Sequence, residues 1–195
     1  MRKFILLLLF FPSLIFAQTN LMQRFFDNLE KKTLISDFTI TVTEKATQPT
    51  TITGNITMQE TKFKAQFMGM EIAYDGTTLY SYSEDNNELT LSTPMQEELA
   101  DINPLLFAKA ITESCKTEIK EQNDNYAITL IPQESGSGIR DFVINIRKHD
   151  LMPLSATMRE TGMKTTAIIF RNSRFSPTWA EFIINKPNAY RNDLR

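Results

Sequence analysis

The chain has one cysteine, Cys115, and one histidine, His149, in 195 residues. A single cysteine excludes an intrachain disulfide, so an exported chain of this kind must be held together by its core. One histidine and one cysteine also fall short of the ligand set of an ordinary zinc site. A basic excess is missing as well. Lys and Arg number 21 against 23 Asp and Glu, a formal charge of −2, and nothing in that balance favours nucleic acid. Beyond residue 17 no apolar run approaches the roughly 20 residues of a membrane-spanning helix. With six Gly and eight Pro, no stretch is rich enough in either to act as a linker, and the sequence contains no internal repeat.

What is present begins with MRKFILLLLFFPSLIFAQ. Arg2 and Lys3 precede an apolar run from Phe4 to Phe11, then come Pro12, Ser13 and the small residue Ala17. This is the layout of a secretory signal peptide cleaved after Ala17. The expected organisation is therefore a signal peptide at 1–17 and one domain at 18–195. Removing the first 17 of 195 residues leaves 178, enough for a substantial core, and the loss of Arg2 and Lys3 takes the formal charge to −4. Cys115 does not sit at the cleavage site, so the mature N-terminus is expected to be lipid-free and the protein untethered.

Thr19 is placed to cap a helix through NLMQRFFDNLEKK, with Leu21, Met22, Phe25, Phe26 and Leu29 at helical spacing. The period then changes from about 3.6 to 2. In SDFTITVTEK, Phe38, Ile40 and Val42 alternate with Thr39, Thr41 and Thr43. TTITGNITMQ and KFKAQF repeat the pattern. Turns are expected at Asp75-Gly76 and around Asn86-Asn87. Further runs are TEIKE, NYAITLIPQ, DFVINIRK, PLSATMRE, KTTAIIFRN and AEFIINKP. These make ten or eleven strands of an antiparallel sheet with one wet and one dry face. Between Pro94 and Cys115 a helical insertion is expected, with Asn103 as N-cap and Pro104 as first helical residue.

Catalytic chemistry is sparse. His149 adjoins Asp150 in RKHDLMP, but neighbouring strand residues point to opposite faces, a poor geometry for a proton relay. Glu97, Glu98 and Asp101 read as a solvated helix face. The glycines of ESGSG lack the strand-to-helix context of a phosphate loop. No enzyme, metal or cofactor is expected. Methionine is well supplied instead, at Met58, Met68, Met70, Met95, Met152, Met158 and Met163. Thioether side chains fill irregular space and adapt to varied partners.

At YDGTTLYSYSEDNNELTL the pattern becomes specific. Asp75, Gly76, Thr78, Leu79, Tyr80 and Tyr82 resemble the D-G-x-T-L-aromatic-x-Y hairpin of the LolA-like periplasmic outer-membrane lipoprotein carriers. NPLLFAKAI sits where that family has a Pro-containing helical segment. Phe182, Ile184, Pro187 and Asp193 resemble its closing F-x-F-x-x-P-x(5)-D. The resemblance implies a mainly β fold with α, an unclosed antiparallel half-barrel of about eleven strands whose concave face is covered by helices. It also implies a soluble, monomeric periplasmic carrier that takes acylated lipoproteins from an ATP-driven extractor in the inner membrane to an outer-membrane acceptor. One departure stands out. Family members often carry a basic residue and a proline just before the third-strand phenylalanine, and the resemblance ties that arginine to opening and closing of the lid. Here that stretch reads Met58-Gln59-Glu60-Thr61-Lys62-Phe63, which implies a different gate.

Exposing a sixteen-carbon chain to water costs on the order of 12 kcal/mol, at about 0.8 kcal/mol per methylene. A carrier must offset most of this and still release its cargo, which favours a yielding wall and a movable lid. The expected acyl-chain lining is Phe38, Ile40, Val42, Ile52, Ile56, Met58, Phe63, Phe67, Met68, Met70 and Ile72. The expected lid is Leu105, Leu106 and Phe107. Two other readings compete: a lipid-binding or envelope-sensing module of the same fold that transfers nothing, and a hydrolase built on His149.

Overall fold

Apolar residues recur at helical spacing from Leu21 to Leu29 and at every second position in the runs that follow, and the chain folds by that change of period. The computed structural model describes residues 13–45, 47–95, 98–99, 102–134, 136 and 138–195, without the side chains of 13–20, 104, 106 and 107. Helix α1 (Ser13–Lys31) leads into β1 (Thr33–Thr43), β2 (Thr50–Gln59), β3 (Lys62–Phe67), β4 (Met70–Tyr74), β5 (Leu79–Ser83) and β6 (Glu88–Ser92). Helix α2 (Pro104–Ile111) and a short 3-10 turn at Thr112–Ser114 follow. The chain then returns as β7 (Cys115–Gln122), β8 (Asn125–Pro132), β9 (Ile139–Arg147), β10 (Pro153–Glu160), β11 (Thr165–Ser176) and β12 (Tyr190–Asp193).

The twelve strands form one sheet in the order β12-β6-β5-β4-β3-β2-β1-β11-β10-β9-β8-β7. Two antiparallel meanders, β1–β6 and β7–β11, join where β1 pairs antiparallel with β11, and β12 adds in parallel to β6. Strands β7 and β12 are left as edges, so the sheet does not close into a barrel. Its inner face carries Leu34, Phe38, Ile56, Met58 and Phe63 from the first meander. From the second it carries Ile128, Leu130, Phe142, Ile144 and Ile168. Leu21, Met22, Phe25, Phe26 and Leu29 of α1 enter the same buried cluster. The helix is also fastened by its end: the Glu60 amide donates to the Leu29 carbonyl at 2.8 Å, and Asn28 Nδ2 donates to the Asp150 carbonyl at 3.3 Å.

Most expected elements are where the pattern put them, and α2 begins at Pro104. Three expectations need correction. Among the described residues the strands number twelve rather than about eleven. Thr19 does not cap α1, which already runs from Ser13 through it. The first twelve residues of the expected signal peptide lie outside the described residues, and the backbone of Ser13–Ala17 is continuous with α1. AEFIINKP is not a strand; it crosses outside the sheet before β12. No described helix is long and apolar enough to cross a membrane.

The last difference explains a second one. The outer face is not wet throughout. Over β4–β6 it carries Ala73, Leu89 and Leu91, buried together with Ile184 of the crossing segment, with Tyr80, Tyr82 and Ala189 packed alongside. Glu71 pins that segment. Its carboxylate meets Lys64 Nζ at 2.7 Å and Lys186 Nζ at 3.0 Å, and Lys186 also lies 4.5 Å from the centroid of the Tyr82 ring. Burial pulls the Glu71 pKa upward, but the hydrogen bonds and charges of the two lysines outweigh it and hold the group below its ordinary 4.5. A carboxylate depressed in the folded state contributes stability above its unfolded pKa and loses it as pH falls through the folded value. Glu71→Gln is therefore expected to cost about 2 kcal/mol at pH 7. The difference from wild type should shrink below pH 4.5, measured by urea unfolding at a series of pH values.

Candidate functional site

Strand alternation alone places ten of the eleven expected lining residues on one face. Phe38 opposes Gly54 and Ile40 opposes Ile52 across β1–β2. Ile56 opposes Ala65 and Met58 opposes Phe63 across β2–β3, and Phe67 opposes Met70 and Ala65 opposes Ile72 across β3–β4. Val42 continues the row on β1. Phe38, Ile56, Met58 and Phe63, which share a cluster with the apolar side chains of α1, are buried. Farther along, Ile40, Val42, Ile52, Phe67, Met70 and Ile72 are only half-buried. The result is an apolar track, buried at one end and half-buried at the other. Gly54 lets it stay narrow: the Phe38 and Phe67 rings meet edge to face beside it, their centroids 6.3 Å apart.

Met68 does not line this track. Met68 and Gly69 have φ of 48° and 73° and form the two-residue turn between β3 and β4, and the methionine side chain is 78% exposed. Of the expected lid, Leu105 is buried in the inner cluster. The side chains of Leu106 and Phe107 lie outside the described residues. The pattern gave no prominence to the second meander, whose Ile128, Leu130, Phe142 and Ile144 share the same inner face. The alternation in NYAITLIP and DFVINIR was the signal for them.

The space between α1, α2 and the sheet is nearly filled. The void bounded by Phe26, Leu29, Met58, Glu60, Leu105, Glu30 and Lys109 holds about 10 Å³. A single water needs about that much, and a drug-sized ligand needs about 300 Å³ or more. Among the described residues this part of the interior thus has no preformed hollow, and Phe25, Phe26 and Leu29 of α1 are part of the cluster that fills it. A larger groove of about 700 Å³ opens between α1, the end of α2 and edge strand β7, lined by Met22, Phe26, Thr112, Cys115 and Thr117 among others. Phe26, Glu30 and Lys109 border both spaces. Glu30 of α1 and Lys109 of α2 form an ion pair there. Burial pushes the Cys115 thiol pKa up, so at neutral pH it stays protonated and behaves as an apolar wall.

The other sequence signals resolve into structure. Asp75 Oδ1 accepts from the amides of Thr77 and Thr78 at 2.9 and 2.8 Å, and Oδ2 accepts from the Tyr80 hydroxyl at 3.0 Å. Burial would raise its pKa, yet these bonds hold it below the ordinary carboxylate value. The D-G-x-T-L hairpin is thus a self-satisfied turn. In β12 the hydrogen bonds of Arg195 lower Asp193 to about 2. The imidazole of His149 is exposed and stands 3.4 Å from Asp150, whose carboxylate is already engaged by Arg147 at 3.0 and 2.8 Å. Among the described residues no three of His, Cys, Asp or Glu converge as a metal site would need.

The fold has known counterparts. An uncharacterised conserved protein from Thermus thermophilus superposes with a TM-score of 0.61 at 12% identity, covering 91% of this chain and 99% of that one. MucB superposes at 0.50 and 9% identity over 87% of this chain and 63% of its own. A LolA superfamily protein from Nitrosomonas europaea superposes at 0.43 and 7% identity, over 80% and 92%. No curated protein matches the sequence. Residues 30–162, spanning β1 through β10 and therefore the whole apolar track, match the model of the outer membrane lipoprotein carrier protein LolA, and the chain belongs to that family.

Proposed function

We propose that this protein is a soluble periplasmic carrier that shields the acyl chains of lipoproteins and delivers them from the inner to the outer membrane. The observation that supports the reading is the apolar track on β1–β4, buried at one end in the cluster that α1 enters and half-buried at the other. In the closed state α1 and α2 cover the inner face in place of cargo. Cargo enters when they swing away, and the same side chains of α1 close over the face on release. Opening must break the Glu60–Leu29 and Asn28–Asp150 hydrogen bonds and expose Leu21, Met22, Phe25, Phe26 and Leu29, while the Glu30–Lys109 pair holds the two helices to each other. Each hydrogen bond is a modest contact of about 1 kcal/mol, and the larger cost is the apolar surface of α1, which cargo must replace. Such a gate opens when acyl chains take over the apolar contacts that α1 gives up. The implied partners are acylated lipoproteins, an ATP-driven extractor in the inner membrane and an outer-membrane acceptor.

The test is transfer. Membranes bearing a labelled lipoprotein and an ATP-driven extractor are incubated with the protein, and the label is followed into the soluble fraction. A carrier brings it there. Ile40→Asn combined with Ile52→Asn is expected to cut the soluble label about tenfold, by removing apolar surface worth about 1.5 kcal/mol or more. The fold should survive, since both side chains are half-buried at the open end of the track. The second reading, a lipid-binding or sensing module that transfers nothing, draws on the filled interior at rest, which suits a switch that opens only on ligand. Stable uptake of lipid with no labelled lipoprotein released would decide for it.

A further inference from the structure

One polar group on the inner face of the sheet has no partner. Thr166 of β11 is 1% exposed, and among the described residues its hydroxyl makes no hydrogen bond. Thr33 and Ser36 are nearly as deeply buried, and their hydroxyls donate to the carbonyls of Thr178 and Arg171 at 2.6 and 2.9 Å. Asp141 Oδ1 also lacks a hydrogen bond, but it faces Arg159 Nη1 at 3.4 Å in an ion pair. Thr166 has neither. A valine there would fill the same volume without stranding a hydroxyl out of water.

Its position ties it to the apolar track. Thr166 alternates with Ile168 and Phe170 on the inner face. It pairs with Val42 of β1 on one side and Met158 of β10 on the other. Val42 belongs to the half-buried end of the track, with Ile40 and Ile52 in the next inward row. On its far side Val42 pairs with Thr50, which is exposed. Thr166 therefore lies two strand spacings, about 10 Å, from an exposed position.

We infer that the Thr166 hydroxyl is the polar anchor of the acyl site, donating to the carbonyl oxygen of an ester- or amide-linked chain whose tail runs along Ile40, Ile52 and Phe38. The inference deepens the proposed function and rests on it. A lone neutral hydroxyl in an apolar wall matches one neutral acceptor attached to a hydrocarbon. A phosphate or a carboxylate would bring a charge that one hydroxyl cannot compensate. An acyl carbonyl stands where the tail meets the headgroup. That suits a hydroxyl one row beyond Ile40 and Ile168 and two strands from the exposed Thr50. With the interior closed the hydroxyl is unpaired, and cargo supplies the missing acceptor.

The probes are two matched pairs. One is palmitoyl lysophosphatidylcholine and its hexadecyl ether analogue; the other is a cysteine peptide carrying two palmitoyl esters and its dialkyl ether counterpart. Affinities for the full chain are read by displacement of an environment-sensitive dye, below the micelle concentration. The ester is expected to bind about fivefold tighter than the ether, the worth of one hydrogen bond. In Thr166→Val the ester falls to the affinity of the ether, and the urea midpoint does not fall. Thr166→Ser keeps the hydroxyl and the preference. A preference confined to the lysolipid assigns the anchor to phospholipid, and one confined to the peptide assigns it to lipoprotein. Equal binding of ester and ether by the wild type overturns the inference and leaves acyl binding standing, as does a preference that survives in Thr166→Val. A lowered midpoint in that variant shows that the hydroxyl already has a partner, and also overturns it. If no member of either pair binds, the acyl-binding reading falls as well.

Discussion

Gly54→Ala is expected to lower stability by more than about 3 kcal/mol, at the upper end of what single substitutions do. A β-carbon at Gly54 would stand 2.1 Å from the Gln66 carbonyl oxygen, 2.9 Å from Phe67 Cβ and 3.0 Å from Phe38 Cζ. The first of these is backbone and cannot rotate aside. Relief requires β2 and β3 to separate near the Asn55–Gln66 pairing, and this also parts the Phe38 and Phe67 rings. Gly162→Ala is the control. A β-carbon there meets nothing within 4 Å, and a change within about 0.5 kcal/mol is expected. Urea titration of the two variants measures both. Equal midpoints would show that β2 and β3 are not as close at Gly54 as described.

Phe25→Ala is expected to lose about 3–5 kcal/mol of stability and yet to bind acyl chains more tightly. Phe25 is fully buried in α1, with its ring centroid 5.1 Å from that of Phe26. Truncating a buried phenylalanine costs this much wherever it occurs. The second effect follows from the proposed role, in which α1 leaves the inner face when cargo binds. Weaker docking of α1 raises the population of the open form, and apparent affinity rises with that fraction, tenfold for each 1.4 kcal/mol or so. Leu91→Ala, in the separate cluster on the outer face, should lose about 2–5 kcal/mol with no gain in affinity. Thermal unfolding gives the first quantity and titration with a fluorescent fatty acid the second. A Phe25 variant that loses stability and affinity together would mean that α1 belongs to the core and is no lid.

Alternation made much of this legible. Wherever polar and apolar residues exchange every second position, as in SDFTITVT and NYAITLIP, the strand and its inward face follow directly. The track was readable for the same reason. Met68 was misplaced because methionine has no strong turn preference, and only the following Gly69 marked the reversal. AEFIINKP alternates like a strand, and Phe182 and Ile184 are indeed buried. Its burial comes from lying across β4–β6, a long-range arrangement that no local period encodes. The filled interior was also beyond the pattern. An amphipathic helix states that it needs an apolar partner, and whether that partner leaves room for a third body depends on side-chain volumes in three dimensions.

The join between β1 and β11 has a consequence for how the polypeptide reaches this state. Thr33 pairs with Ser176 and Thr43 with Thr165, so the central ladder unites segments more than a hundred residues apart in sequence. Each meander gains only near-neighbour pairings as it emerges, and the two halves stay unstapled until almost the entire length is available. Late, distant closure of this kind makes acquisition of structure slow. For a polypeptide threaded unfolded through a translocation channel, as the proposed role requires, that delay is an advantage, since the ladder that would jam passage is the last to form.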